Sequence, residues 1–293
     1  MRRIIIDTDI GDDIDDALAL HLALASPALE VAGITTVFKY TQDRCILAEA
    51  ILQEIGRADI PVIAGIDRPF LHKVDCTKHA SQFEVIEGRP VGARKGHGVD
   101  FILDSLKKDK ELELAAIGPL TNIAAAILKS PETMKNRKIF IMGGMISNAY
   151  PEWNIMNDPE AARIVFESGM DITLVGLDVT LKCRLNDKEL KQIQKSNLSN
   201  TKLLKTLVDK WMRESRHHPI LHDPLVIGYL IDPEILTLKD ANILVETQGE
   251  FSRGITIDKR DVFGHRELEN VNCRVAVDVD RERFLSRFMD LIF

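Results

Sequence analysis

Short apolar runs alternate with stretches that are apolar at helical spacing almost to the end of the chain. The first run, Ile4-Ile5-Ile6, predicts a buried strand of a parallel sheet. Residues 30–37, 61–64, 112–117, 138–142 and 171–177 predict further strands, and 242–246, 254–257 and 274–279 a late group. Between them the spacing predicts helices. The first begins at Ala17, with Leu18, Leu20, Leu22 and Leu24 following; others cover 42–55 and 99–107. Gly118-Pro119-Leu120-Thr121-Asn122 opens another, with Pro119 suited to its first turn, and Asp158-Pro159 caps the next. Residues 186–218 read as largely helical and polar, His222-Asp223-Pro224 starts a further helix, and the chain ends in one rich in Arg and Phe. Residues 65–98 and 145–157 read as irregular. This alternation predicts a single-domain α/β protein over residues 1–293, a mainly parallel open sheet with helices on both faces.

Composition narrows the function classes. An apolar fraction of 45% is ample for a large core, and the net charge of −7 disfavours a general binder of nucleic acid or anionic membrane. Cys45, Cys76, Cys183 and Cys273 form no CxxC pair, which suits reduced thiols in a cytoplasmic protein. His72, Cys76 and His79 lack a fourth zinc ligand nearby. Only three apolar residues separate Met1-Arg2-Arg3 from Asp7, too few for a signal peptide, and no later run is long enough to span a bilayer.

The chemistry concentrates between the first strand and the first helix. Aspartates occupy six of the ten positions from Asp7 to Asp16, around Gly11. The carboxyl edge of an open α/β sheet is where ligands bind. Packed carboxylates repel, so some neutralise, reach water or share a cation. In one reading Asp15 or Asp16 caps the helix and the rest are solvated. In the other a cation sits among them, favoured because Asp7 and Asp9 leave a buried strand where solvation is poor. Hard oxygens with no Cys or His beside them suit Ca²⁺ or Mg²⁺ rather than Zn²⁺.

Read with GPLTN (118–122), PEWN (151–154) and HDPL (222–225), the stretch DTDIGDDIDDALAL resembles the nucleoside hydrolase family, the inosine–uridine-preferring N-ribohydrolases. The resemblance runs from Ile4 through RGITID (253–258) to the VDVD ending. It implies a Rossmann-like fold, Ca²⁺-dependent cleavage of the N-glycosidic bond of ribonucleosides, and a homo-oligomer, dimer or tetramer. It also implies roles. Asp9 would ligate Ca²⁺ and take a proton from the attacking water, Asp16 and Asp223 would be further ligands, and Thr121 would lend a backbone carbonyl. Asp15, Glu152, Asn154 and Asn148 would hold the ribose. His222 would stand near the leaving base, and His97 at the rim. Trp211, Arg213, Arg216, His217 and His218 lie in a region that contributes to the family's base pocket.

Two departures stand out. The family's shortest acidic motif is DxDxGxDD, and this chain inserts two residues, leaving Asp12 and Asp13 as extras. After Val37-Phe38 the family commonly has Gly and then Asn or Asp, whereas this chain has Lys39 and Tyr40. Two rival readings follow: a non-catalytic nucleoside-binding protein that keeps the metal, and a Mg²⁺-dependent phosphohydrolase of the haloacid dehalogenase type, mimicked by Asp7-Thr8-Asp9.

Overall fold

The computed structural model describes residues 1–71, 73–76, 80–89, 96–262 and 270–293. Its strands are β1 (Arg2–Thr8), β2 (Leu29–Thr36), β3 (Val62–Ala64), β4 (Glu113–Ala116), β5 (Lys138–Met142), β6 (Asp171–Val175), β7 (Leu236–Ala241), β8 (Ile243–Val245), β9 (Thr256–Asp258) and β10 (Cys273–Val279). Eight form one sheet in the order β3-β2-β1-β4-β5-β6-β10-β7; β8 and β9 form a separate antiparallel ribbon. Every neighbouring pair in the large sheet is parallel except β10 with β7.

The apolar run in β1 is continuous because both of its faces are covered. Ile4 and Ile6 join an apolar cluster with the helices Asp15–Ala25, Thr41–Ile55, His222–Ile231 and Arg281–Ile292. Ile5 points the other way, into a cluster with the helices Gly98–Lys108, Thr121–Lys129 and Pro159–Phe166. Period-two alternation thus serves two hydrophobic layers rather than one layer and water.

Several elements differ from the sequence reading. β7 was not foreseen: it is an edge strand, largely half-exposed, and its pairing with β10 joins positions more than thirty residues apart. The predicted helix 186–218 divides into Asp187–Lys195 and Lys202–Ser215, and ends where Arg216 takes φ +56°. His217 and His218 therefore lie beyond it. Pro119 precedes the helix Thr121–Lys129 rather than standing in its first turn. None of the four cysteines is in a disulfide, and Cys76 is exposed, whereas His72 and His79 lie outside the described residues. Among the described residues no helix is long and apolar enough to cross a membrane.

From β1 the chain builds outward through β2 to β3, then returns to place β4 on the other side of β1. The strand order reverses there, so the connections leaving β1 and β4 diverge and open a crevice at their carboxyl ends.

Candidate active site and cation centre

The acidic loop leaves β1 in that crevice. The helix Asp15–Ala25 has Ile14 at its N-cap and no side-chain capping bond, so Asp15 and Asp16 are not caps. Their helix packs against His222–Ile231, and both are apolar nearly all round, with Leu18, Leu20, Leu22, Leu225, Val226 and Ile227 buried. Such helices lie inside the protein. Their acidic first turns are consequently brought together away from water.

Carboxylate oxygens of Asp15, Asp16 and Asp223 all lie within 4.8 Å of one another. The Asp223 amide donates to Asp15 Oδ2 at 3.2 Å, and the Thr8 hydroxyl donates to Asp16 Oδ1. Asp223 Oδ1 is buried with no hydrogen-bond partner. Two ionised groups ~5 Å apart repel by about 3 kcal/mol at an effective dielectric constant of about 20. Three such charges do not persist together without a counter-ion. Burial, reinforced by neighbouring carboxylates, accordingly pushes Asp15, Asp16 and Asp223 well above the usual carboxylate range. Burial likewise raises Asp9 to about 7, against the opposing charge of Arg44, and Asp13 to about 6.

These observations fit a hard divalent cation. It would displace the shared protons, meet only oxygen donors and give Asp223 Oδ1 a partner. Asp9 stands beside the cluster, against Gly118: a Cβ at Gly118 would lie 2.8 Å from Asp9 Oδ1. No other residue fits that approach without moving the carboxylate.

The cluster forms the floor of a cavity of about 380 Å³, a size typical of small-molecule sites. Its acidic lining is Asp9, Asp12, Asp13, Asp15, Asp16, Asp223 and Glu152; Ile117, Met142, Leu177, Tyr150, Trp153 and Trp211 give its apolar and aromatic lining, and Asn154 and His222 complete it. No Lys or Arg lines it among the described residues.

Glu152 and Asn154 stand at the start of a helix within the stretch 145–157 that reads as irregular in sequence. Glu152 is the N-cap of a short helix, Trp153–Asn157. Its buried carboxylate accepts from Gly144 N at 2.9 Å, Asn154 N at 3.0 Å and Ile155 N at 3.1 Å. Asn154 Nδ2 donates to the carbonyls of Ile117 and Met142. Both polar side chains are buried, while Trp153 is 50% exposed. The buried Glu152 carboxylate satisfies three amides, whereas the half-exposed indole lines the cavity.

His222 Nδ1 lies 2.7 Å from the Thr180 hydroxyl, and burial, with Arg184 adding to it, lowers its pKa to about 4. The ring is neutral at physiological pH.

Three candidates stand apart from the cavity lining. The Thr121 hydroxyl donates to Asp158 Oδ2 at the start of its helix, and Ile117 takes its place on the cavity wall. His97 is exposed and caps the helix Gly98–Lys108, its Nδ1 accepting from Val99 N. Asn148 is exposed and lines a neighbouring depression with Ser252 and Asp258. Of the residues suggested for a base pocket, Trp211 reaches the cavity, with its Nε1 buried and lacking a hydrogen-bond partner; Arg213, Arg216, His217 and His218 do not line it. Trp211 continues the stripe Leu204, Leu207, Val208, whose spacing could have marked it as inward-facing.

Comparison with known proteins is consistent from end to end. Residues 4–286 match the family model described as inosine-uridine preferring nucleoside hydrolase. The chain is 33% identical to the pyrimidine-specific ribonucleoside hydrolase RihA of Salmonella schwarzengrund, over 97% of this chain and 96% of that protein. The purine-preferring ribonucleoside hydrolase from Gardnerella vaginalis superposes with a TM-score of 0.84 at 34% identity, covering 99% of this chain and 98% of that one. The plant nucleoside hydrolase PpNRh1 gives a TM-score of 0.85 at 29% identity, with the same coverage.

Proposed function

Because this chain belongs to the inosine–uridine preferring nucleoside hydrolase family, and is therefore a ribonucleoside hydrolase, we propose that it works with Ca²⁺ held by Asp9, Asp16 and Asp223. The observation that carries this reading is the Asp15–Asp16–Asp223 cluster, closed within 4.8 Å yet leaving Asp223 Oδ1 without a partner. A backbone ligand would come from Ile117, which lines the cavity, rather than from Thr121. When bound, Ca²⁺ would supply a fixed positive charge and spare oxygen-coordination positions, acidifying water and orienting sugar hydroxyls.

The chain's own residues do the rest. Asp15, Glu152 and Asn154 hold the ribose hydroxyls. Asp9, buried beside the cluster, accepts a proton from the water that attacks the anomeric carbon. As the carbon–nitrogen bond breaks, its electron pair leaves with the base, and the carboxylates around the sugar stabilise the oxocarbenium-like charge. His222 is neutral, so it serves as a hydrogen-bond donor to the departing base rather than as an imidazolium acid. A Thr180 hydroxyl donating to Nδ1 would put the ring proton on Nε2. The base anion takes a proton from solvent and Asp9 returns its own to solvent, so water and nucleoside give ribose and the protonated free base. The same reading treats residues 1–293 as one domain, since the central sheet takes strands from β1 to β10.

The acidic lining, without Lys or Arg, favours neutral nucleosides over phosphorylated substrates. Ribose release from purine and pyrimidine ribonucleosides, measured beside their 5′-monophosphates and simple phosphomonoesters, tests the proposal. Ribose from the nucleosides, with about 100-fold lower kcat/KM for the monophosphates, is expected from repulsion of some 2–3 kcal/mol. Phosphate release without ribose would overturn it in favour of a phosphohydrolase.

A further inference from the structure

Arg44 belongs to the amphipathic helix Thr41–Ile55, yet it has no exposed surface. Its Nε donates to the Phe38 carbonyl at 2.7 Å; Nη1 donates to the carbonyls of Asp9 and Ile10; Nη2 donates to Asp12 Oδ2 at 2.7 Å. The guanidinium also lies over the Phe83 ring, 6.0 Å from its centroid. That ring covers Gly11, where a Cβ would meet it at 2.5 Å. Burying a guanidinium is unfavourable unless its donors are satisfied in a fixed arrangement. Here three carbonyls and one carboxylate satisfy it, and all four belong to the two loops that leave β1 and β2.

One departure from the family pattern ends on this side chain, and the other, Lys39-Tyr40, directly follows the Phe38 carbonyl that it holds. Asp12 is one of the two additional acids. Phe38 and Lys39 hold left-handed conformations, φ +64° and +50°, where neither is glycine. Amides of that turn are tied to the Ile66 and Asp67 carbonyls, and Arg44 secures it from the side of the acidic loop. We infer that Arg44 is a positioning residue for the cation centre, clasping the Asp9–Ile10 main chain to the β2 turn so that the Asp9 carboxylate stays beside Asp15, Asp16 and Asp223. The inference rests on the proposed cation reading.

A lysine keeps the charge but offers one nitrogen, which cannot span acceptors on both loops. Calorimetric titration of the chelated full-length protein with Ca²⁺ therefore separates positioning from mere charge, using Arg44→Lys, Arg44→Met and Asp12→Asn. Thermal melts identify which variants fold. Arg44→Lys is expected to fold and bind Ca²⁺ at least about tenfold more weakly, as loss of an outer support for metal ligands does. At saturating Ca²⁺ its kcat for ribose release falls while KM for nucleoside stays within about twofold, because the ribose-holding residues are not tied to Arg44. Asp12→Asn weakens Ca²⁺ binding less than Arg44→Lys does. Should Arg44→Met not fold, the other two variants decide. Wild-type Ca²⁺ affinity and kcat in Arg44→Lys would overturn the inference. Absence of Ca²⁺ binding by the wild-type protein would instead overturn the cation reading beneath it.

Discussion

Replacing Asp9 by Asn is expected to lower kcat for ribose release by about 10³-fold, within the range that a positioned proton acceptor contributes. The amide has the shape of the carboxyl group and an oxygen for a cation, but it cannot accept the proton of the attacking water. KM should change little, because Asp15, Glu152 and Asn154 remain. The fold should remain as well: Asp9 is buried and its pKa is pushed up to about 7, so removing the charge relieves a desolvation cost. Steady-state ribose release beside a thermal melt checks both parts. A kcat within tenfold of wild type, in a folded variant, would place the proton acceptor elsewhere.

Calcium should stabilise the protein more as pH rises. In the cation-free protein burial raises Asp9 to about 7 and Asp13 to about 6, and lifts Asp15, Asp16 and Asp223 well above their ordinary values. In the unfolded chain these groups ionise near pH 4. Between those limits the folded protein holds more protons than the unfolded one, so its stability falls as pH rises from about 4 through 7. A divalent cation reverses this contribution by binding the ionised carboxylates of the folded form alone. At free Ca²⁺ about 100 times Kd, the gain is about 2.7 kcal/mol. That corresponds to an increase in Tm of about 5 °C for a chain of this size. The difference between melts with Ca²⁺ and with chelator should therefore be near this value at pH 8 and much smaller at pH 5. A difference independent of pH would mean that Ca²⁺ binds away from these groups.

Much of this site is legible in the sequence for physical reasons. A strand buried on both faces must be continuously apolar, and Ile4-Ile5-Ile6 is. Carboxylates clustered at the end of such a strand need a compensating partner, so Asp9, Asp15 and Asp16 attract notice before any coordinates. Asp223 does not by its local pattern, which is that of a helix start: the HDPL motif marks it only through the family resemblance, and its company comes from the neighbouring helix. The helix Trp153–Asn157 is too short to show periodicity and depends on three amides meeting the Glu152 carboxylate. β7 was hidden for another reason: edge strands alternate weakly, and its partner β10 lies far along the chain. Nothing in the sequence singles out Arg44, because the loops that bury it come from two other parts of the chain.

The most direct test of a cation-dependent ribonucleoside hydrolase is to titrate calcium back into chelated protein, counting bound metal and measuring ribose release at each addition. The rate is expected to rise in proportion to bound calcium, to level off at a single ion per chain, and to be absent without a divalent cation. Ribose release at the full rate from protein shown to be free of divalent cations would contradict the account.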